Sequence, residues 1–519
     1  MKTKIHLLGK RLLAIAIISI LAISCTDLNV PSSDAVDDFF LTPEQIEQGA
    51  AHAYVLLRNY GPSFFDGVPN VYHLNETCTD EVIVPARGEN WNDTKIWEEL
   101  WKHEWTPRST PAGDGWKFIF NGVGETNLII ESLQNLPKSA GNYESLLAEM
   151  KLLRSFNYYL ALDLFGNLPI VEKSNVAASE VVTKPRDEVF AFVENEIQQN
   201  LQNLYSNVDK STYGRATQWF AYALLAKLYL NAEVYTGVPR WADCIAACDA
   251  ILNSGKFVLE DDFYKNFAID NEGSRENIFS IPYDFNTSAG NFMLQIFTLH
   301  YNSGATFGLD FGGANGFSST AEYLNLFNDF DIRKKMFLVG QQYVDQIPDG
   351  KHLQYDNNGN LLIFDPVITS FHVQPPKTET AGARCAKWEF NKSAWNMSND
   401  FAVYRLADII LMKAEAQFRN GDAAGALATI NQKFGGVSIR SRTGLPDFSA
   451  AEMNLEGLLV ERARELSWEG HRRNDLIRFG HFLDARIPDK KISENFRTLF
   501  PVPQAEIDKN QGLIQNPGY

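Results

Sequence analysis

Val403-Tyr-Arg-Leu-Ala-Asp-Ile-Ile-Leu-Met-Lys-Ala-Glu-Ala-Gln-Phe-Arg419, followed by Asn420-Gly421-Asp422 and then Ala423-Ala-Gly-Ala-Leu-Ala-Thr-Ile-Asn-Gln432, reads as helix, stop, helix. Apolar residues return every third or fourth position, and an Asn-Gly-Asp break ends the first run. The same shape occurs earlier in the chain. Arg215 to Tyr235 is periodic, Thr236-Gly237-Val238-Pro239 breaks it, and an Ala-rich helix begins at Trp241. Trp116 to Leu136, Tyr143 to Phe165, Arg186 to Leu204 and Glu452 to Gly470 carry the same period. Helical hairpins therefore form the frame.

Two-helix units of about 34 residues with alanine at the packing seam look like tetratricopeptide repeats. Between about 256 and 399 the period is lost. His352 to Tyr355, Asp356-Asn-Asn-Gly359, and Leu361 to Phe364 predict a β-hairpin around a Gly-containing turn. Asn302 to Phe317 holds five glycines and three phenylalanines without the spacing of a cofactor loop, and predicts a structured surface loop bearing aromatic side chains. The expected fold is mainly α: a tetratricopeptide-like scaffold of helical hairpins over about 39–255 and 400–519, packed against a loop-rich insertion with a few short β-hairpins.

The 519 residues are 45% apolar and carry a net charge of −17. That composition excludes a disordered chain, and its length suffices for a large core, with roughly three-quarters of the chain's area buried on folding. The acidic balance, with no basic run to offset it, argues against nucleic acid as a partner.

Residues 1–24 read as a signal peptide. Lys2, Lys4, Lys10 and Arg11 precede an apolar run, Leu12 to Ile23, that is too short to span a membrane. Ser24-Cys25 follows, as in a bacterial lipoprotein signal, although Leu21 stands four residues before the cysteine rather than three. Cys25 is the expected lipidation site, 25–38 an acidic tether, and 39–519 one folded unit. The other cysteines, Cys78, Cys244, Cys248 and Cys385, are too few for a disulfide scaffold. Cys244 and Cys248, four apart on a helix, read as core residues with no metal cluster around them.

No G-x-S-x-G elbow, H-E-x-x-H, P-loop or spaced Cys/His set occurs, so the expectation is a non-enzyme without cofactor or metal. Asp356 to Gly359 lacks the remaining ligands of a calcium loop.

Four ordered motifs, the last with two parts, carry a resemblance. They are Met150 to Tyr159 with Asp163-Leu-Phe-Gly-Asn-Leu-Pro169, Tyr404 to Asp408 with Ala414-Glu-Ala416, Glu461 to Gly470 with Asp475 to Gly480, Leu499-Phe-Pro-Val-Pro503, and Gln515 to Tyr519. With the lipoprotein start, the chain resembles the SusD/RagB family of outer-membrane nutrient-binding lipoproteins of Bacteroidetes. The resemblance implies a lipid-anchored cell-surface protein that captures a glycan and acts as the lid of a SusC-like TonB-dependent transporter, breaking no bond. The motif residues themselves read as scaffold: Glu461, Glu465 and Glu469 at four-residue spacing predict an ion-pair network locking the last helices.

A neutral sugar offers one apolar ring face and a rim of hydroxyls, which a flat aromatic and neighbouring polar groups can meet. Asn75 to Trp105 is the best candidate stretch. Trp97, Trp101 and Trp105 share one helical spacing and read more readily as core, whereas Trp91, between Glu89-Asn90 and Asn92-Asp93, is off that register. The resemblance also implies a stacking Trp in this loop with an acidic residue and an Arg before it, which places Asp80, Arg87, Trp91 and Asn92 in the site; the alternative is that Asp80 and Arg87 simply pair with each other. His300, Tyr301, Phe307 and Phe311 around the Gly-rich turn are candidates for a second wall, although each is more often packing. Trp388 and Trp395, with Arg384 and Lys387, form a third group. The competing functions are a peptide-binding RagB-like protein, a surface glycoside hydrolase, and a tetratricopeptide adaptor without a small ligand.

Overall fold

The computed structural model describes residues 43–61, 70–92, 95–135, 142–287 and 292–519. The signal segment, Cys25, the tether and Asp93 lie outside the described residues. The fold is mainly α. Helices Thr110–Gln134, Tyr143–Leu164 and Arg186–Asn200 pack in succession, as do Gln218–Leu230 and Trp241–Leu252. Alanine at 221, 223 and 226 is fully buried in Gln218–Leu230, which lets its backbone approach its neighbours closely.

The stack continues across a long excursion. Trp241–Leu252 packs directly on Leu406–Arg419, which packs on Ala423–Asn431 and Leu455–Leu466, and the last of these on Arg472–Phe479. The intervening chain leaves the frame after one helix and re-enters at its spatial neighbour. Its re-entry is a strand. Val403 to Arg405, expected in the helix, belong to Phe401–Arg405, paired antiparallel with Asn277–Ile281. A short run of β-branched and aromatic residues is compatible with either state, and the partner strand decides. Phe279 of that strand stacks on Phe220 of the scaffold at 3.9 Å between ring centres, fastening the two halves.

A buried charge network completes the seam. Glu465 accepts from Arg405 (2.7 Å), Arg442 (2.6 Å) and Arg333 (2.8 Å). Glu461 accepts from Arg333 and Arg440, both at 2.9 Å, while Glu469 accepts from Lys387 and Arg405. Burial alone would raise the Glu465 carboxyl, but Arg442, Arg405 and Arg333 hold it far below the usual carboxylate range. Two features differ from the sequence reading. Glu469 lies beyond the helix, which ends at Leu466, and Trp468 (φ 63°) and Gly470 (φ 87°) turn the chain there. The cations Arg333 and Lys387 come from the insertion, so the network joins it to the frame rather than joining helices alone.

Elsewhere the insertion is built from short pairings. Tyr343 faces Leu353 across one antiparallel reversal and Tyr355 faces Leu361 across the next, the predicted hairpin, while Gly340–Gln341 pair antiparallel with Ile363–Phe364. Asp356 Oδ1 caps its turn by accepting from Asn358 N (2.9 Å) and Asn360 N (2.8 Å), with Gly359 at φ 81°. The four cysteines at 78, 244, 248 and 385 are buried and unbridged.

Candidate functional site

The loop carrying Trp91 is stitched into the insertion. Ile83 bridges Ser318, and Ala86–Arg87 pair parallel with His372–Val373. Arg87 and Asn90 then exchange backbone hydrogen bonds (2.8 and 3.2 Å) around Gly88, and Trp91 follows with φ 58°. A bulky residue in the left-handed region persists only where its surroundings hold it. Here they do. The indole Nε1 donates to Ala314 O at 2.7 Å, and the ring meets Trp97, Phe297 and Phe317 with centroids 5.9–6.3 Å apart. Trp91 remains half-buried, and Asn90 and Asn92 beside it are exposed.

The glycines of the neighbouring loop make this wall possible. Residues 313–317 lie on the backbone of 296–300: Gly313 N donates to His300 O (3.1 Å), Ala314 N to Ile296 O (2.7 Å) and Gly316 N to Phe297 O (2.8 Å). A Cβ at Gly313 would collide with Leu299 O, and one at Gly316 with the Trp91 ring. Close backbone approach therefore explains the Gly-rich stretch.

Tyr301 extends the face. Its hydroxyl accepts from Asn90 Nδ2 at 3.1 Å. Behind it His300 is fully buried. Asn302 N donates to its Nδ1 (3.1 Å), which leaves Nε2 to carry the proton and meet Glu379 Oε2 at 2.9 Å. Burial, reinforced by Arg384 and Arg87, pushes the imidazole down to about 3, so it is neutral. His300 thus supports Tyr301 rather than facing solvent, which corrects the expectation of a ligand contact.

Arg87 also stands behind the face. It is 4% exposed and donates to Ser318 Oγ (2.7 Å) and Thr378 O (3.1 Å); burial pushes its guanidinium down to about 10. Asp80 does not pair with it. Arg472 takes Asp80 through Nε and Nη2, both at 2.7 Å. Burial favours the neutral acid, but Arg472 outweighs it and holds Asp80 below its usual value.

Of the third group, Trp388 is core, stacked on Phe401, while Arg384 and Lys387 are buried. Trp395 is 60% exposed, and its backbone carbonyl accepts from Gln295 Nε2 at 3.0 Å. Phe307 packs edge-on against Phe390. Trp97, Trp101 and Trp105 are all buried, as their spacing suggests.

Sequence reasoning missed Glu379 and Tyr355. Glu379 gathers His300, Asn357 N (3.1 Å) and Asn358 Nδ2 (3.4 Å) on one carboxylate, and Asn302 Nδ2 donates to Tyr355 O (2.9 Å). The turn at Asp356–Gly359 signals the hairpin, but nothing local signals where it docks. Among the described residues no group of three His, Cys, Asp or Glu could hold a metal ion. The face can supply a ring surface and amide or hydroxyl hydrogen bonds.

Comparison with known proteins gives two family matches: "SusD family" over residues 374–519, and "Starch-binding associating with outer membrane" over residues 45–230. The starch-binding protein SusD of Bacteroides thetaiotaomicron is 24% identical, with both chains covered in full. A laminarin-binding SusD-like protein superposes with a TM-score of 0.73 at 20% identity, covering 92% of this chain and 100% of that one. Surface glycan-binding protein A of B. thetaiotaomicron, solved with laminarihexaose, gives 0.70 at 20% identity, covering 92% and 99%. At such identity these structures show the shared fold.

Proposed function

Because the chain belongs to the SusD/RagB family, we propose that it is an outer-membrane glycan-binding protein. It captures an oligo- or polysaccharide on the face formed by Trp91, Asn90, Asn92 and Tyr301, with Trp395 as a further exposed ring. One observation carries this reading: Trp91 is held in a strained, half-exposed pose by Ala314 O and Gly316, with amides beside it. A ring fixed in this way presents a flat surface with little conformational entropy left to lose on binding.

The names of its relatives support a glycan as the ligand class. In this reading Cys25 carries the lipid anchor, the protein sits on the cell surface, and it serves as the lid of a SusC-like TonB-dependent transporter. It binds and delivers without cleaving.

Isothermal titration of residues 26–519 against neutral and acidic polysaccharides, their oligomers and a peptide digest tests the reading, with Trp91→Ala alongside. Binding to one glycan class, lost in Trp91→Ala, supports both function and face. Binding to peptides alone refutes the glycan and favours a RagB-like function. Release of reducing sugar would refute the claim that no bond is cleaved.

A further inference from the structure

We infer that Tyr355 is a second ligand-stacking residue and that Glu379 is the residue that positions it; this rests on the glycan reading above. The hairpin bearing Tyr355 is tied to the Trp91 face by a continuous hydrogen-bonded chain. Trp91 is anchored on Ala314 O, Gly313 on His300 O, His300 on Glu379, and Glu379 on Asn357 N of the hairpin turn. A second tie runs from Asn302, next to Tyr301, to Tyr355 O.

The hairpin alternates in burial as a strand with one covered face should. Gln354, Asp356, Leu362 and Phe364 are buried, whereas Tyr355 is 46% exposed, opposite the exposed Leu361. An aromatic left outward on a pinned hairpin is a platform rather than core.

Its surroundings indicate the ligand chemistry. Asn302 Nδ2 donates to the Tyr355 carbonyl, and Asn357, Asn358 and Asn360 follow in the turn of the same hairpin; Glu379 is engaged within the protein by three donors and Arg384 by Asn315 Oδ1 and backbone carbonyls. An apolar ring within an amide rim suits an uncharged, hydroxyl-rich chain. The face therefore takes a neutral glycan long enough to reach from Trp91 to Tyr355.

A double-mutant cycle on the full chain in detergent, titrated with the glycan the wild type binds, tests this. Tyr355→Ala weakens binding about tenfold and Tyr355→Phe stays within about twofold, since the ring alone is required. Glu379→Ala weakens it by a similar factor and raises amide exchange at Asn357. The double variant is no weaker than either single one, because Glu379 acts through Tyr355. Asn302→Ala loosens the same strand without opening the buried imidazole and follows the same non-additive pattern if Glu379→Ala does not fold. Wild-type affinity in Tyr355→Ala overturns the contact while leaving the glycan reading intact. A hundredfold loss in the double variant overturns the positioning role. A wild type that binds no glycan overturns the reading beneath both.

Discussion

Gly316 lies so close under Trp91 that the smallest side chain there would run into Cζ2 and Cε2 of the indole. The contact couples a backbone position in the insertion to the presentation of a ring from the N-terminal loop. Gly316→Ala is expected to displace Trp91 and to weaken glycan binding at least tenfold, with near-native helix content by circular dichroism. Trp91→Phe, which keeps a ring but loses the bond to Ala314 O, should fall between wild type and Trp91→Ala in the same titration.

Arg405 bridges Glu276, Glu465 and Glu469 in the buried seam between frame and insertion. Removing one member of such a set strands charges that burial cannot tolerate, typically at about 3–5 kcal/mol. Arg405→Ala should lower the unfolding midpoint in heat and denaturant by a margin far larger than loss of a surface pair such as Lys265 with Asp261. Equal effects from the two would refute a structural role for the network.

Asp400 is buried and accepts from Tyr213 Oη with both oxygens, at 2.9 and 2.8 Å. Burial dominates and raises its carboxyl to about 7. Between the unfolded value near ~4 and about 7 the folded protein binds the extra proton, so this group lowers stability as pH rises. Asp400→Asn removes that dependence. Its melting temperature relative to wild type should climb from pH 4.5 to pH 7.5 and then level off; a flat difference would refute the shift.

Trp388 and Trp395 are seven residues apart in sequence and opposite in environment. Trp388→Ala empties a packed aromatic site and should cost about 3–5 kcal/mol in denaturant unfolding. Trp395→Ala should stay within about 0.5 kcal/mol. If Trp395 contributes a ring to the ligand, its loss will instead appear in titration as weaker binding at unchanged stability.

The helical frame was legible because periodicity is a local signal: Tyr143–Leu164 and Trp241–Leu252 lie where their apolar spacing places them. The strand Phe401–Arg405 was not, because its partner lies more than a hundred residues upstream and only pairing separates the two states of such a run. The site divides in the same way. Trp91 stood out by its polar company, yet the burial of Arg87 depends on Ser318 and Thr378, and that of His300 on Glu379. Asp80 looked like a partner for Arg87, which is seven residues away, while its actual partner, Arg472, comes from the far end of the chain. Long-range closure of this kind leaves no trace in spacing.

The insertion leaves the frame after Leu252 and returns at Leu406, on helices that touch each other. It is thus mounted like a tool bit in a chuck, with Arg333, Lys387 and Glu276 as the shank gripped by the C-terminal part of the frame, through Glu461, Glu469 and Arg405. The working tip, from the Gly-rich loop to the Tyr355 hairpin, can be recut for another cargo while the shank and the chuck stay as they are.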